Sequence, residues 1–170
     1  NIADLLRVID PSESQAVVRV VAGIPHIIKQ VLDAGAQSIL VPMVDTAEQA
    51  REMVRAVRYP PDGIRGAALV TRAAQYGNVE NYAPTANDEI CLLVQAESKT
   101  AIENLDEICA VEGVDGVFIG PFDLAASMGF IHDPNNEVVQ KTIEQAILKI
   151  VSSGKAAGIL MLDEIRAKKY

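Results

Sequence analysis

Two acidic side chains stand where two apolar segments of the sequence end. Glu97 closes the segment EICLLVQAES at 89–98, and Asp123 follows the run VFIG at 117–120. Their separation of 26 residues is about one strand–helix–strand repeat, so both are expected at the same edge of a parallel sheet. Two carboxylates facing one gap, with no His or Cys nearby in the sequence, suit Mg²⁺ or Mn²⁺. The alternative is that Glu97 caps a helix and Asp123 starts a turn.

Two further polar residues belong to the same apolar segments. Gln95 lies two residues before Glu97, so the two side chains of this strand point to the same face. Arg19 interrupts the apolar segment AVVRVV at 16–21, and a buried guanidinium needs a carboxylate or a ligand oxygen. Arg19 would either stabilise negative charge developing on a bound keto acid or form an ion pair with a structural acid.

The elements that position these residues alternate along the chain. Short apolar segments predict strands, and segments with apolar residues at helical spacing predict helices between them. Thr46 and Gln49, like Thr100 and Glu103, form patterns typical of a helix N-terminus. The predicted strands are 16–21, 38–44, 89–98, 117–120 and 156–162, and the predicted helices begin near residues 26, 46, 100 and 138.

Five strands alternating with helices predict a parallel α/β architecture. The Gly-x-Gly-x-x-Gly pattern of dinucleotide-binding folds is absent, which favours a closed (β/α)₈ TIM barrel over an open doubly wound sheet. Eight strand–helix units need about 250 residues, whereas residues 1–170 can supply five or six units. We therefore expect one partial barrel domain over residues 1–170, lacking the first two strands and the last strand.

Composition limits the classes of partner. The formal net charge of −8 argues against nucleic acid and anionic membranes, because phosphate binding needs clustered Lys and Arg. Small molecules and other proteins remain as partners.

No apolar run is long enough for a membrane helix, and the N-terminal residues do not resemble a signal peptide, so we expect a cytoplasmic protein. Cys91 and Cys109, which lack a CxxC spacing, are expected to be buried free thiols.

Three stretches carry a family resemblance. RYPPDGIRG at 58–66, LVQAES at 93–98 and VEGVDGVFIGPFDLAASMG at 111–129 occur in order with matching separations. Together they resemble the metal-dependent class II pyruvate aldolases of the HpcH/HpaI type. This family includes 2-keto-3-deoxy sugar acid aldolases and 4-hydroxy-2-oxo-heptanedioate aldolases.

The resemblance implies a TIM barrel that assembles as a homo-oligomer, a hexamer built as a trimer of dimers. It assigns the divalent metal, Mg²⁺ or Mn²⁺ with Co²⁺ as a further option, to Glu97 and Asp123. It assigns keto-acid contacts to Arg19 and Gln95, and the pyruvate carboxylate to the backbone around Gly120 and Phe122. The implied reaction is reversible aldol cleavage of a 4-hydroxy-2-keto acid to pyruvate and an aldehyde, through a metal-stabilised pyruvate enolate.

The sequence departs from the family pattern in two ways. The family's catalytic histidine stretch has no match, because Asn1 is at most its last residue, and His26 and His132 are expected to be solvated or to cap helices. The location of the general base is therefore open. Phe122 replaces a small residue of many relatives, which would reshape the aldehyde pocket.

Two alternatives to an active aldolase remain at this point. One is a non-catalytic subunit of the same barrel that binds a keto acid or mediates assembly. The other is a related CoA-ester lyase, although the sequence shows no basic cluster for the cofactor phosphates.

Arg65 and Arg72 are expected to be solvated loop residues outside the site. The loop of Tyr76 and Tyr82 is expected to be a lid or a subunit contact.

Overall fold

The computed structural model describes residues 1–170, which form short strands separated by helices. Every predicted strand is present, although most are shorter than predicted. In chain order the elements are α1 (Ile2–Ile9), β1 (Val17–Arg19), α2 (Pro25–Asp33), β2 (Ser38–Val41), α3 (Ala47–Val57), a 3₁₀ turn (Gln75–Gly77), α4 (Tyr82–Thr85), β3 (Cys91–Ala96), α5 (Lys99–Glu103), α6 (Leu105–Cys109), β4 (Gly116–Ile119), α7 (Pro121–Ser127), α8 (Glu137–Ser152), β5 (Ala156–Ile159) and α9 (Glu164–Lys169).

The five strands form one parallel sheet in the order β1-β2-β3-β4-β5. Each strand therefore pairs with its neighbour in the chain, which requires a crossover segment between successive strands. In this arrangement the carboxyl ends of all the strands share one edge of the sheet. The α/β class predicted from the sequence is confirmed. No helix of the structure has both the length and the apolar character needed to cross a membrane.

Residues 1–41 and 52–92 form one compact unit. Helix α2 begins with Pro25 at its first position, where a missing N–H costs no hydrogen bond, and it buries Ile28, Val31 and Leu32. Gly35 follows the helix with a φ of 103°, a conformation that glycine adopts without steric cost. The helix predicted to begin near residue 26 is thus confirmed.

Residues 42–51 and 93–170 form the second compact unit. Its longest element is α8, which is capped by the Asn136 side chain accepting a hydrogen bond from the Val138 N–H. The predicted apolar stripe of this helix is present, but Val138 is exposed and does not join the core. The side chains of α8 that are buried are Val139, Ile143, Ala146 and Ile150.

Some element boundaries differ from the sequence prediction. The helix expected to begin at Thr100 begins at Lys99, because the Ser98 side chain accepts a hydrogen bond from the Ala101 N–H and caps it. Helices α1, α4, α7 and α9 were not predicted. Cys91 and Cys109 are free thiols as expected; Cys109 is buried and Cys91 is half-buried.

Arg65 is the buried charge of the first unit, so the prediction of a solvated loop arginine was wrong. Its side chain has no exposed surface. One Nη atom lies 3.0 Å from Asp33 Oδ1 and 3.3 Å from the Tyr82 hydroxyl, and the guanidinium carbon lies 4.4 Å from the centre of the Tyr59 ring. A carboxylate and an aromatic face together offset the loss of hydration of the guanidinium. Arg65 therefore joins the loop at 58–66 to α2.

Replacing Arg65 by Met should destabilise the fold strongly. The apolar stem is kept, but Tyr82 and one oxygen of Asp33 lose the hydrogen bond from Arg65, while Asp33 keeps its pair with Lys29. The free energy of unfolding should therefore fall by about 2–4 kcal/mol. Urea unfolding followed by circular dichroism measures the change. Arg51→Met is the matched control, because Arg51 forms an exposed pair with Glu48 and its loss should cost about 0.5 kcal/mol or less. Equal effects of the two substitutions would contradict the role of Arg65.

Tyr59 gives the fold an alkaline pH dependence. Burial raises the pKa of the Tyr59 hydroxyl to about 12, with the nearby Arg65 charge acting in the opposite direction. A raised pKa means that folding favours the protonated hydroxyl, so this contribution is fully present below pH ~10 and is lost between pH ~10 and ~12.

Tyr59→Phe should remove this dependence. The hydroxyl is buried without a hydrogen-bond partner, so the substitution should cost little at pH 8. Above pH ~10 the variant should become more stable than the unsubstituted chain by about 1 kcal/mol per pH unit. Urea unfolding between pH 8 and 11 measures this, and Tyr76→Phe, at a ring that is 63% exposed, is the control. If the free energy of unfolding changed with pH in the same way for all three proteins, the assignment of this pH dependence to Tyr59 would be wrong.

Candidate active site

Glu97 is a buried carboxylate at the carboxyl end of β3. Its residue is 2% exposed. Its Oε2 accepts a hydrogen bond from Gln95 Nε2 at 2.5 Å, and its Oε1 accepts one from the backbone N–H of Met43 at 2.9 Å. The first bond confirms that Gln95 and Glu97 point to the same face. With one donor on each oxygen, the plane of the carboxylate has a defined orientation.

The loop that supplies the Met43 N–H is fastened to the end of β3. The Val44 N–H donates to the Gln95 carbonyl at 3.1 Å. Asp45 accepts a hydrogen bond from the Ser98 hydroxyl through its side chain, and a second from Asn104 Nδ2 through its carbonyl at 2.8 Å. The residues after β2 are therefore held to the same strand end that carries Glu97.

Gly120 lies against the Glu97 carboxylate. In the register of β3 with β4, Ala96 pairs with Ile119, which places Glu97 level with Gly120. A Cβ at residue 120 would collide with Glu97 Oε2, and it would lie 2.8 Å from Glu97 Cβ and 3.1 Å from Gln95 Nε2. The space that a side chain would occupy is thus already taken by the acid and its partner, so only glycine fits at this position.

Asp123 lies on a helix and not at the end of a strand, which corrects the prediction. β4 ends at Ile119, Gly120 is the N-cap of α7, Pro121 is its first residue, and Asp123 is an exposed acid of the first turn. A Pro that follows a Gly is compatible with a turn, but it also suits the first position of a helix, where its φ is preset. A carboxylate is favourable in this turn because the helix dipole is positive there.

Arg19 is exposed, so its predicted burial in β1 was wrong. β1 lies at one end of the strand order, and Val17, which alternation places on the same face as Arg19, is also 55% exposed. The contact of Arg19 with a keto acid stays a prediction. His26 and His132 are exposed, the first in the initial turn of α2 and the second in a loop, as expected.

A cavity of about 220 Å³ borders the start of α7. Phe122, which is 58% exposed, forms part of its wall together with residues after β5. Arg166 supplies a positive charge to the lining and donates a hydrogen bond to Asn135. The acid Asp163 also lines the cavity, so the lining carries charges of both signs. Its other lining residues include Pro134, Leu160, Met161 and Leu162.

The two candidate metal ligands are carboxylates, the donor type that a hard divalent cation prefers. Glu97 and Asp123 offer oxygen ligands only, and neither belongs to a group of three or more His, Cys, Asp or Glu side chains. Mg²⁺ is commonly bound by one or two carboxylates, with water and substrate oxygens completing the octahedron. The two hydrogen bonds described for Glu97 are compatible with ligation, since a carboxylate oxygen has two acceptor positions.

Sequence reasoning missed two residues that the structure brings forward. Met43 has a φ of 56°, a left-handed conformation that its residue type does not favour, and its backbone is what reaches Glu97. Arg65 is buried, although it follows a loop rich in Gly and Pro. The sequence around Met43 and Arg65 does not reveal the left-handed backbone of the first or the burial of the second. Both depend on contacts with residues distant in the sequence.

Comparisons with known proteins identify the family of the chain. Residues 1–169 match the model of the HpcH/HpaI aldolase/citrate lyase family. The match covers nearly the whole chain, so the chain belongs to this family, and the predicted resemblance is confirmed.

Two curated relatives are named as aldolases. A 2-keto-3-deoxy-L-rhamnonate aldolase of Klebsiella pneumoniae is 59% identical over 96% of this chain and 62% of its own length. A hydroxypyruvate/pyruvate aldolase of Roseovarius nubinhibens is 53% identical over 100% of this chain and 66% of its own length. The chain thus spans slightly less than two thirds of the length of these relatives.

A solved structure has the same fold. The crystal structure of an HpcH/HpaI aldolase/citrate lyase family protein from Burkholderia cenocepacia is 37% identical to this chain and superposes with a TM-score of 0.96. The alignment covers 99% of this chain and 68% of that one. The strand order and helix positions described above are therefore those of an established member of the family.

Gly120→Ala should destabilise the site through crowding. The added methyl group meets a buried carboxylate that is held on both oxygens, so the free energy of unfolding in EDTA should fall by about 1–3 kcal/mol. Gly66→Ala is the control, because a Cβ there meets the flexible end of Lys29 at 3.0 Å and should change the stability by about 0.5 kcal/mol or less. Urea unfolding compares the two variants, and equal effects would show that Glu97 moves aside freely.

Proposed function

We propose that this chain carries the metal-dependent aldol cleavage of a 4-hydroxy-2-keto acid to pyruvate and an aldehyde. The names of the two curated relatives support this activity. The observation that carries the proposal is the buried Glu97 carboxylate, with Gln95 on one oxygen, the Met43 N–H on the other and Gly120 packed against it. A buried acid with a defined orientation is suited to ligate a cation.

Glu97 and Asp123 would hold the divalent metal, Mg²⁺ or Mn²⁺. When bound, such an ion acts as a Lewis acid that polarises the keto oxygen and stabilises the pyruvate enolate. Gln95 keeps Glu97 from rotating, because its amide is hydrogen-bonded to the carboxylate. Asp123, in the first turn of α7, adds a second negative charge three residues after Gly120.

The keto acid would be positioned by backbone groups at the start of α7 and by Arg19. The first bond within this helix runs from the Leu124 N–H to the Gly120 carbonyl, so the N–H groups of Phe122 and Asp123 precede it. Such N–H groups at a helix start favour a carboxylate. Arg19 would share the negative charge that develops on the keto oxygen. The aldehyde part would extend toward the cavity beside Phe122.

We further propose that the parallel sheet is part of one (β/α)₈ barrel domain that assembles as a homo-oligomer. The sequential order of five parallel strands supports a barrel, because a doubly wound sheet changes direction at a switch point. The site residues Gln95, Glu97 and Gly120 lie at strand carboxyl ends, where barrel enzymes place their chemistry.

Pyruvate release tests the activity. The 170-residue chain would be assayed with a panel of 4-hydroxy-2-keto acids in Mn²⁺, in Mg²⁺ and in EDTA. We expect release with metal and none in EDTA, and Glu97→Gln should lower the rate by at least ~100-fold because a neutral amide is a poor ligand for a hard cation. Glu103→Gln is the matched control, since Glu103 is an exposed acid on α5 and should leave the rate unchanged.

The other outcomes separate the alternatives. The Klebsiella pneumoniae aldolase serves as a positive control for the assay. If the folded chain binds Mn²⁺ but releases no pyruvate, the reaction proposal is wrong and a keto-acid-binding role is favoured. Cleavage of a CoA ester in place of the keto acids would identify a CoA-ester lyase. Release that persists in EDTA would contradict the metal assignment.

A further inference from the structure

Met43 has an unusual backbone for its residue type. Its φ of 56° lies in the left-handed region, where residues with a Cβ are disfavoured and glycine or asparagine is usual. The residue is 56% exposed. A conformation of this kind persists only when the surrounding structure determines it, and such positions concentrate at functional sites.

The flanking residues impose this conformation. Pro42 is buried on one side of Met43, and Val44 is buried on the other with its N–H bonded to the Gln95 carbonyl. One residue further, Asp45 is bonded to Ser98 and to Asn104. Pro42 and Val44 therefore have fixed positions, and Met43 connects them by adopting the left-handed conformation.

The consequence is the direction of one N–H group. The Met43 N–H points at Glu97 Oε1 at 2.9 Å, while Gln95 holds the other oxygen. A residue with ordinary φ at this position would turn the peptide away from the carboxylate. We propose that the left-handed backbone of Met43 is a positioning device, which fixes the Glu97 carboxylate in the orientation required for metal ligation.

This inference rests on the proposed function, because it assumes that Glu97 ligates a metal. It assigns the role to the backbone and not to the thioether, since more than half of the residue is exposed. Substitutions at residue 43 should therefore act according to how well each residue tolerates left-handed backbone, irrespective of side-chain size. Glycine tolerates it best, alanine tolerates it about as well as methionine, and valine tolerates it poorly.

Mn²⁺ binding to the 170-residue chain and its Met43 variants tests the inference. Free Mn²⁺ would be followed by electron paramagnetic resonance, with the melting temperature in EDTA as the control for folding. We expect Met43→Gly and Met43→Ala to keep the dissociation constant within about twofold, and Met43→Val to raise it on the order of tenfold or more, as is typical when a partner of a metal ligand is lost. A merely structural role would lower the melting temperature of Met43→Val and leave the affinity unchanged.

A second measurement does not depend on the folding of Met43→Val. Hydrogen exchange should show the Met43 amide slowed at least ~10-fold relative to an unstructured amide although the residue is exposed, and Glu97→Ala should remove this protection. An unprotected Met43 amide, equal Mn²⁺ affinities of the Gly and Val variants, or a loss in Met43→Ala as large as in Met43→Val would each overturn the inference. Failure of the unsubstituted chain to bind Mn²⁺ would overturn the metal assignment of the proposed function and this inference with it.

Discussion

The burial of one carboxylate constrains the strand ends of the second unit. Removing an acid from water is costly unless its oxygens are hydrogen-bonded, and Glu97 obtains its described bonds from Gln95 on its own strand and from the Met43 backbone. The loop after β2 must therefore reach the end of β3. The start of α7 must leave room for the acid, which excludes a side chain at Gly120. The loop at 42–45, the end of β3 and the start of α7 are thus constrained by a single side chain.

In the first unit, the contacts of the buried Arg65 charge stabilise the fold. Arg65 has a carboxylate partner in Asp33 and the face of the Tyr59 ring, so its charge is offset where it lies. The bonds described for Glu97 come from the amide groups of Gln95 and Met43, which orient the carboxylate. An oriented anion is what a metal ligand requires. Arg65 thus contributes to the cohesion of the first unit, whereas Glu97 is the residue that we propose as a metal ligand.

Much of this structure follows from local sequence pattern, and the exceptions have a common cause. The strands and most of the long helices were predicted because apolar spacing is a local property, and Gln95 and Glu97 share a face because strand alternation requires it. Arg65 could not be predicted, since its partner Asp33 lies 32 residues away in sequence. The backbone of Met43 depends on contacts of Pro42 and Val44, which spacing does not reveal. Arg19 was misjudged because an apolar strand segment does not show its place in the sheet.

The segment GPFD at 120–123 can now be explained by one packing constraint together with helix geometry. Glu97 excludes a Cβ at residue 120, so the residue that follows β4 must be Gly. A Gly there has no side chain to cap the helix that follows, and Pro121 helps to start it by presetting φ. Asp123 then falls in the first turn, where the helix dipole favours an anion. Asp123 stands three residues beyond Gly120 because the space at residue 120 is occupied by the carboxylate of Glu97.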